Sequence, residues 1–340
     1  PGGRQMTADL PLALTMGEPA GIGGEITLKA WNARTPETGP FFYLGDPAWL
    51  AEGGRALGLD VPIAVISQPS QAADIFPRAL PVLPETLAAP AIPGHPDPAN
   101  APAVINAIAR AARLALAGDV AGVVTNPIHK KVLADSGFTH PGHTEFLGEL
   151  CGNIQPIMML ACPGLRVVPV TVHLALRDAI GALSMDAIVT AATITAKALT
   201  ADFAITEPRL AIAALNPHAG EDGMMGAEEA RIIAPAVAAL KKCGIAVFGP
   251  APADSLFHER ARSAYDAVIC MYHDQALIPL KTVDFEHGVD VTLGLPLVRT
   301  SPDHGTAFAI AGKGIAHEHS LIAALALARE IAANRRGAFR

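Results

Sequence analysis

The chain is short of aromatic rings, of charge and of cysteine, and each shortage excludes something. Aromatic residues make up 5% of the 340 positions, so the core must be built from Ala, Val, Leu and Ile rather than around large rings. The four cysteines, Cys151, Cys162, Cys243 and Cys270, form no Cys-x-x-Cys pair and no disulfide-like spacing. That points to a reducing, cytoplasmic setting, with Cys270 inside an apolar run as a small core residue. Charged residues are only 17% of the total and the formal net charge is −7. No basic stripe is present, so nucleic acid is not the expected partner, and the acidic balance fits simple solubility. No apolar run reaches the roughly 18 residues of a membrane span. The N-terminal stretch lacks the charged-then-apolar layout of a signal peptide, and residues 1–5 are set aside from fold reasoning.

What is abundant is apolar sequence, at 51%. That is enough for a large core, or two, and for an oligomer interface. Short apolar runs at 12–15, 41–44, 61–66, 120–125, 157–160, 167–172, 210–215 and 267–271 alternate with helical patterns at 101–117, 186–200, 227–242 and 320–334. The alternation predicts βαβ units and a mostly parallel α/β sheet whose strands are covered on both faces. The proline-rich segment 81–102 reads as a long irregular connection. Domain changes are expected near Asn126 and near Val289. The expected division is a discontinuous first α/β domain, 10–125 plus 289–335, and a second α/β domain, 126–288.

Three of the apolar runs lead into a histidine: His173, His218 and His273. Ligands in open α/β sheets bind beyond the carboxyl ends of strands. Three imidazoles arriving there suit one divalent cation with a position left open for substrate. Each alone is equally a hydrogen-bonded histidine at a strand end, and their spacing matches no local zinc motif. Gly17-Glu-Pro-Ala-Gly-Ile-Gly-Gly24 follows the first strand; it is either a close-approach anion site or a tight strand-to-helix turn. Gly142-His-Thr-Glu-Phe146 places His143 and Thr144 at a helix start, where a plain N-cap at Thr144 is the alternative. Lys281 and Arg299 suit a substrate bearing carboxylate and phosphate, unless they are merely solvated charges. The small residues from Gly305 to Gly314 form a loop able to approach an adenine nucleotide.

Together with Thr171-Val-His-Leu-Ala-Leu-Arg-Asp178, Leu215-Asn-Pro-His-Ala-Gly-Glu221, Met271-Tyr-His-Asp-Gln275 and Arg299-Thr-Ser-Pro-Asp-His-Gly-Thr306, these motifs occur in the order of one family. The chain resembles the 4-hydroxythreonine-4-phosphate dehydrogenases of pyridoxal phosphate biosynthesis, from about residue 12 to residue 330. The resemblance implies two α/β/α domains of isocitrate/isopropylmalate dehydrogenase-like architecture, with the active site in the cleft between them. It implies a homodimer, with metal ligands contributed across the dimer. His173, His218 and His273 are then the ligands of one Zn, Mg or Co ion. His143, Thr144, Lys281, Asp290 and Arg299 contact substrate, and Lys281 and Asp274 are the candidates for the catalytic base. NAD or NADP is held by Gly305, Thr306, Ala307, Gly312 and Lys313.

The implied reaction oxidises 4-hydroxythreonine 4-phosphate to 2-amino-3-oxo-4-phosphooxybutanoate, which decarboxylates to 3-amino-2-oxopropyl phosphate. Two positions depart from the family pattern. Asp290 stands where Asn is usual, and an ionised Asp cannot donate a hydrogen bond to an anion. Ala309 stands where related loops often carry Asp. The departures keep open a paralogous dehydrogenase acting on phospho-threonate or phospho-erythronate, or on an aromatic cis-dihydrodiol. A metal-dependent hydrolase using the same histidines, and a non-catalytic sensor, are the readings outside the dehydrogenases.

Overall fold

A computed structural model describes residues 10–35, 38–140 and 142–338, so residues 1–5 lie outside the described part. The chain divides into two compact units, residues 1–155 with 295–332 and residues 156–294 with 333–340. The first break therefore falls later in the chain than Asn126, because the helix His143–Leu150 packs with Ala101–Ala117 in the first unit. The second falls at Gly294, since the strand Val289–Leu293 pairs with Ile157–Cys162.

In the first unit the strands β1 (Leu12–Thr15), β2 (Phe41–Gly45), β3 (Ile63–Val65), β4 (Leu80–Pro84) and β5 (Gly122–Thr125) are parallel. With a sixth parallel strand, Arg299–Pro302, they run in the order β3-β4-β2-β1-β5 and then 299–302. Residues of β1, β2 and β5 are buried without exception, as the unbroken apolar runs require of strands covered on both faces. The segment 81–102 is not wholly irregular, because its first residues belong to β4. Pro81 precedes the start of pairing with β2 at Val82, and Pro84 lies past the end of pairing with β3 at Val82. Each proline thus stands where one of its two ladders is unformed, which is how an inner strand tolerates them.

In the second unit β6 (Ile157–Cys162) and β7 (Leu165–Pro169) form an antiparallel hairpin, and β8 (Arg209–Ala213), β9 (Ala246–Ala251) and β10 (Ala267–Cys270) run parallel to β7. The strand after β10 is β11 (Val289–Leu293), antiparallel to β6, and the Arg299–Pro302 strand of the first unit is β12. The order here is β11-β6-β7-β10-β8-β9, mostly parallel as expected, with β6 running against the other five. Leu160, Val167, Ala211, Val268 and Leu280 pack in its core. The helix Met185–Ala201 starts at Ser184, whose hydroxyl accepts from Ala187 N at 3.2 Å. No single helix among the described residues is long and apolar enough to cross a membrane.

The last helix is His319–Ala338, and its end, from Ala333, is held within the second unit by an ion pair. Arg335 donates to both oxygens of buried Asp202, at 2.6 and 3.0 Å, and Asn334 donates to the Asp202 carbonyl at 2.7 Å. Removing one partner of such a buried pair leaves the other charge uncompensated. Asp202→Ala is expected to lower unfolding stability by about 3 kcal/mol, read by chemical denaturation.

Candidate active site

Each histidine lies just past the carboxyl end of its strand, and the three strands are neighbours in the order β7-β10-β8. His173 follows β7, His273 opens the helix His273–Val283 after β10, and His218 follows β8. The structure brings two of the three together: the rings of His173 and His273 are 5.9 Å apart, centroid to centroid. A small cavity of about 210 Å³ opens beside them, walled by Thr171, Val172, His173, Tyr272, His273 and Asp274 among others. Asp274 lies 2.7 Å from Nδ1 of His273. With the carboxylate as acceptor, Nδ1 carries the proton and Nε2 presents a lone pair, the usual arrangement of a ligating imidazole and its carboxylate.

His218 is not in that cavity's wall. It opens a run of left-handed backbone, His218 to Asp222, with φ of 51°, 54°, 79°, 41° and 53°. Only Gly220 takes such angles without cost, so the other four store strain that their surroundings must hold. Glu229 does much of this, accepting from the backbone N–H groups of Leu215 and Asn216 at 2.9 and 2.7 Å. Asn216 Nδ2 donates to Glu229 at 2.9 Å and to Glu228 at 2.7 Å. That donation is the main reason the Glu228 carboxyl sits below its ordinary range. Glu229 itself begins a turn of π-helix, Glu229–Ile233, a distortion often found at functional sites. Among the described residues of one chain, no three His, Cys, Asp or Glu side chains stand at metal-binding spacing. The His173–His273 pair with Asp274 nevertheless has the donor chemistry of two ligands of a divalent ion.

Lys281 is on the same helix as His273 but two turns later, about 12 Å along its axis at 1.5 Å per residue. Its ammonium lies 5.7 Å from the Phe285 ring centroid. Asp290 is half-buried on β11, level with Leu160 of β6.

The first unit gathers a different set. Arg299 on β12 is buried, donating through Nη2 to Thr125 Oγ1 at 2.8 Å and to Ser301 Oγ at 2.9 Å. His143 and Thr144 are the first residues of the helix His143–Leu150, whose N-cap is Gly142, so Thr144 is not the cap. The first helical bond is Phe146 N to Gly142 O at 3.3 Å, leaving the N–H groups before it open to an anion. Burial holds the His143 imidazole well below its ordinary value, reinforced by the positive charges of Arg299 and Lys130. Its Nε2 is buried with no hydrogen-bond partner. A neutral donor or acceptor beside two cations is a site suited to phosphate or carboxylate.

The two glycine-rich motifs meet in this unit. Ile22 N donates to Thr306 O at 3.1 Å, and a Cβ on Gly21 would come within 2.9 Å of that oxygen. Ala307 is left-handed at φ 49°, and Gly305 and Lys313 are exposed. Gly312 lines a cleft of about 640 Å³ together with Pro19, Gly21, Gly24, Trp49 and Leu87. Of the five expected nucleotide contacts, Gly312 is the one in its wall. Glu18, in the same turn, is buried, and this raises its carboxyl above the ordinary range against the opposing bond from Ala20 N. Thr171, Gln275, Glu229 and Lys130 had no assigned role in the sequence reading. Gln275 and Glu229 are buried polar residues inside apolar helical patterns, the one signal that marks them.

A family model described as pyridoxal phosphate biosynthetic protein PdxA matches residues 37–328. The 4-hydroxythreonine-4-phosphate dehydrogenase of Caulobacter vibrioides is 53% identical over 331 residues, 96% of this chain and 98% of that protein. The crystal structure of the Klebsiella pneumoniae 4-hydroxythreonine-4-phosphate dehydrogenase superposes with a TM-score of 0.85 at 38% identity, covering 96% of this chain and 99% of that one. A terephthalate 1,2-cis-dihydrodiol dehydrogenase from Burkholderia xenovorans superposes at 0.62 with 27% identity, covering 95% and 98%.

The depressed value of His143 fixes the sign of a pH effect. As pH falls below the ordinary value of 6.5, the unfolded chain binds this proton first. Stability is therefore full above that value and is lost as pH falls toward the lower folded value. Thermal melting between about pH 8 and pH 5 should show a shallower decline for His143→Gln than for the unaltered protein.

Proposed function

The chain belongs to the pyridoxal phosphate biosynthetic protein PdxA family, and on that footing we propose that it is a metal-dependent dehydrogenase that oxidises 4-hydroxythreonine 4-phosphate with NAD or NADP. The observation that carries the reading is the imidazole pair of His173 and His273 beyond the carboxyl ends of β7 and β10, with Asp274 on Nδ1 of His273.

His173 and His273 are two ligands of a divalent ion, Zn, Mg or Co, and His218 is the third, with ligands shared across a homodimer. When bound, the ion makes the substrate hydroxyl more acidic and the nicotinamide accepts the hydride. Asp274 holds the His273 ring in one tautomer and orientation. Arg299, Lys130, His143 and the open N–H groups at the start of the His143–Leu150 helix hold the substrate's anionic groups, with Thr144 beside them. Lys281 and Asp290 complete the substrate contacts, Lys281 also as the acceptor of the hydroxyl proton. The loop from Gly305 through Thr306, Ala307, Gly312 and Lys313 holds the dinucleotide. The ground for this is its docking on the Gly17–Gly24 turn, through Ile22 N to Thr306 O, and the adjoining cleft, whose wall includes Gly21, Gly24 and Gly312.

Oxidation at the carbon β to the carboxylate gives a β-keto acid. It loses carbon dioxide because the ketone accepts the released electron pair, leaving 3-amino-2-oxopropyl phosphate. Leu174, Leu176, Ile180, Met224 and Met225, exposed around the His173 and His218 loops, form the face that a second copy covers.

The test is formation of reduced cofactor from 4-hydroxythreonine 4-phosphate and NAD or NADP, with and without a chelator. Chelator-sensitive reduction is expected, and His218→Ala should lose metal and turnover together while keeping its fold. Turnover by His218→Ala with metal retained would remove His218 from the centre. Inactivity on this substrate, with turnover of a cis-dihydrodiol, would move the protein to the alternative substrate class.

A further inference from the structure

The three strand ends that carry the histidines are tied through the backbone N–H and C=O of a single buried residue, Met271. Met271, 1% exposed, lies between β10 and His273. Its carbonyl accepts from Thr171 Oγ1 at 2.8 Å, and Thr171 stands two residues before His173 at the end of β7. Its N–H donates to Gln275 Oε1 at 2.7 Å. The other end of the same amide, Gln275 Nε2, donates to Ala214 O at 2.7 Å, at the end of β8 and ahead of His218. Thr171 and Gln275 are 7% and 8% exposed, so water is a poor substitute for either. Gln275 is also anchored through its backbone. Pro279 removes the helical donor to the Gln275 carbonyl, and the Cys270 thiol approaches that carbonyl at 3.8 Å.

Neither side chain belongs to the imidazole cluster. Their bonds run from β7 to β10 and from β10 to β8, the two junctions that set where the histidines start. We propose that Thr171 and Gln275 are positioning residues that hold the strand exits carrying His173, His218 and His273, so that each imidazole is placed for its divalent cation, shared across the dimer as read above. The inference rests on the metal reading above. Loss of partners that orient metal ligands typically weakens metal affinity about 10- to 100-fold, and a loss in that range is expected here.

The test is Co²⁺ binding to metal-free full-length protein, followed by calorimetry and by the visible absorption of the bound ion, which reports ligand geometry. Thr171→Val keeps the shape and removes the donor, while Thr171→Ser keeps the hydroxyl. Gln275→Leu removes both amide bonds. Thr171→Val and Gln275→Leu should bind Co²⁺ about 10- to 100-fold more weakly with an altered spectrum, and Thr171→Ser should restore both. Should Gln275→Leu fail to fold, the Val and Ser pair at Thr171 decides the matter. Unchanged affinity and spectrum in Thr171→Val, against an unaltered protein that binds Co²⁺, overturns this inference alone. Failure of the unaltered protein to bind Co²⁺, or equal binding by His273→Ala, overturns the metal reading and this inference with it.

Discussion

The second unit depends on how the carboxyl ends of β7, β10 and β8 are held side by side. Parallel pairing aligns the strands but stops at Pro169, Cys270 and Ala213, short of every histidine. Beyond those residues one backbone bond, Val170 N to Cys270 O at 2.8 Å, still joins β7 to β10, and side-chain bonds carry the register further. Thr171 and Gln275 supply them on the backbone of Met271. On the β8 side, Glu229 braces a left-handed turn that the sequence would not adopt unaided. Strain at His218 and order at Met271 are two parts of one arrangement, in which buried hydrogen bonds fix groups that the chain leaves half-exposed or exposed to bind ligand.

The first unit solves a different problem with similar means. Its strand β5 ends in Thr125 and β12 begins with Arg299, whose guanidinium is oriented by hydroxyls from both. Burial, with Arg299 and Lys130 adding to it, disfavours the charged form of His143. An imidazole that stays neutral can share a hydrogen bond with an anion while the cations supply the attraction. The second unit thus gathers imidazoles, and the first gathers Arg299, Lys130 and His143.

Much of this was legible in the sequence because burial writes itself as uninterrupted apolar runs. The β1, β2 and β5 strands and the Ala101–Ala117 helix appear almost to the residue. The strands that were missed have physical reasons. β12 reads Arg-Thr-Ser-Pro and is buried although polar, since its side chains bond to one another and to β5. β11 alternates Asp290 and Thr292 with apolar neighbours, β9 is partly exposed along its length, and β4 carries two prolines. The histidines were visible because each ends an apolar run. The close approach of His173 and His273 and the strained backbone at His218 were not, because left-handed angles at non-glycine residues leave no mark in an apolar pattern. Gln275 was hidden for a related reason: a lone amide in an apolar helix has no period, and its value lies in which two strands it spans.

The most direct measurement is anomalous scattering at the cobalt edge from crystals grown with Co²⁺. The account predicts a peak within about 2.0–2.2 Å of an imidazole nitrogen of both His173 and His273, with Asp274 still on Nδ1 of His273. A peak bound elsewhere, or no peak at these imidazoles in crystals saturated with the ion, would contradict it.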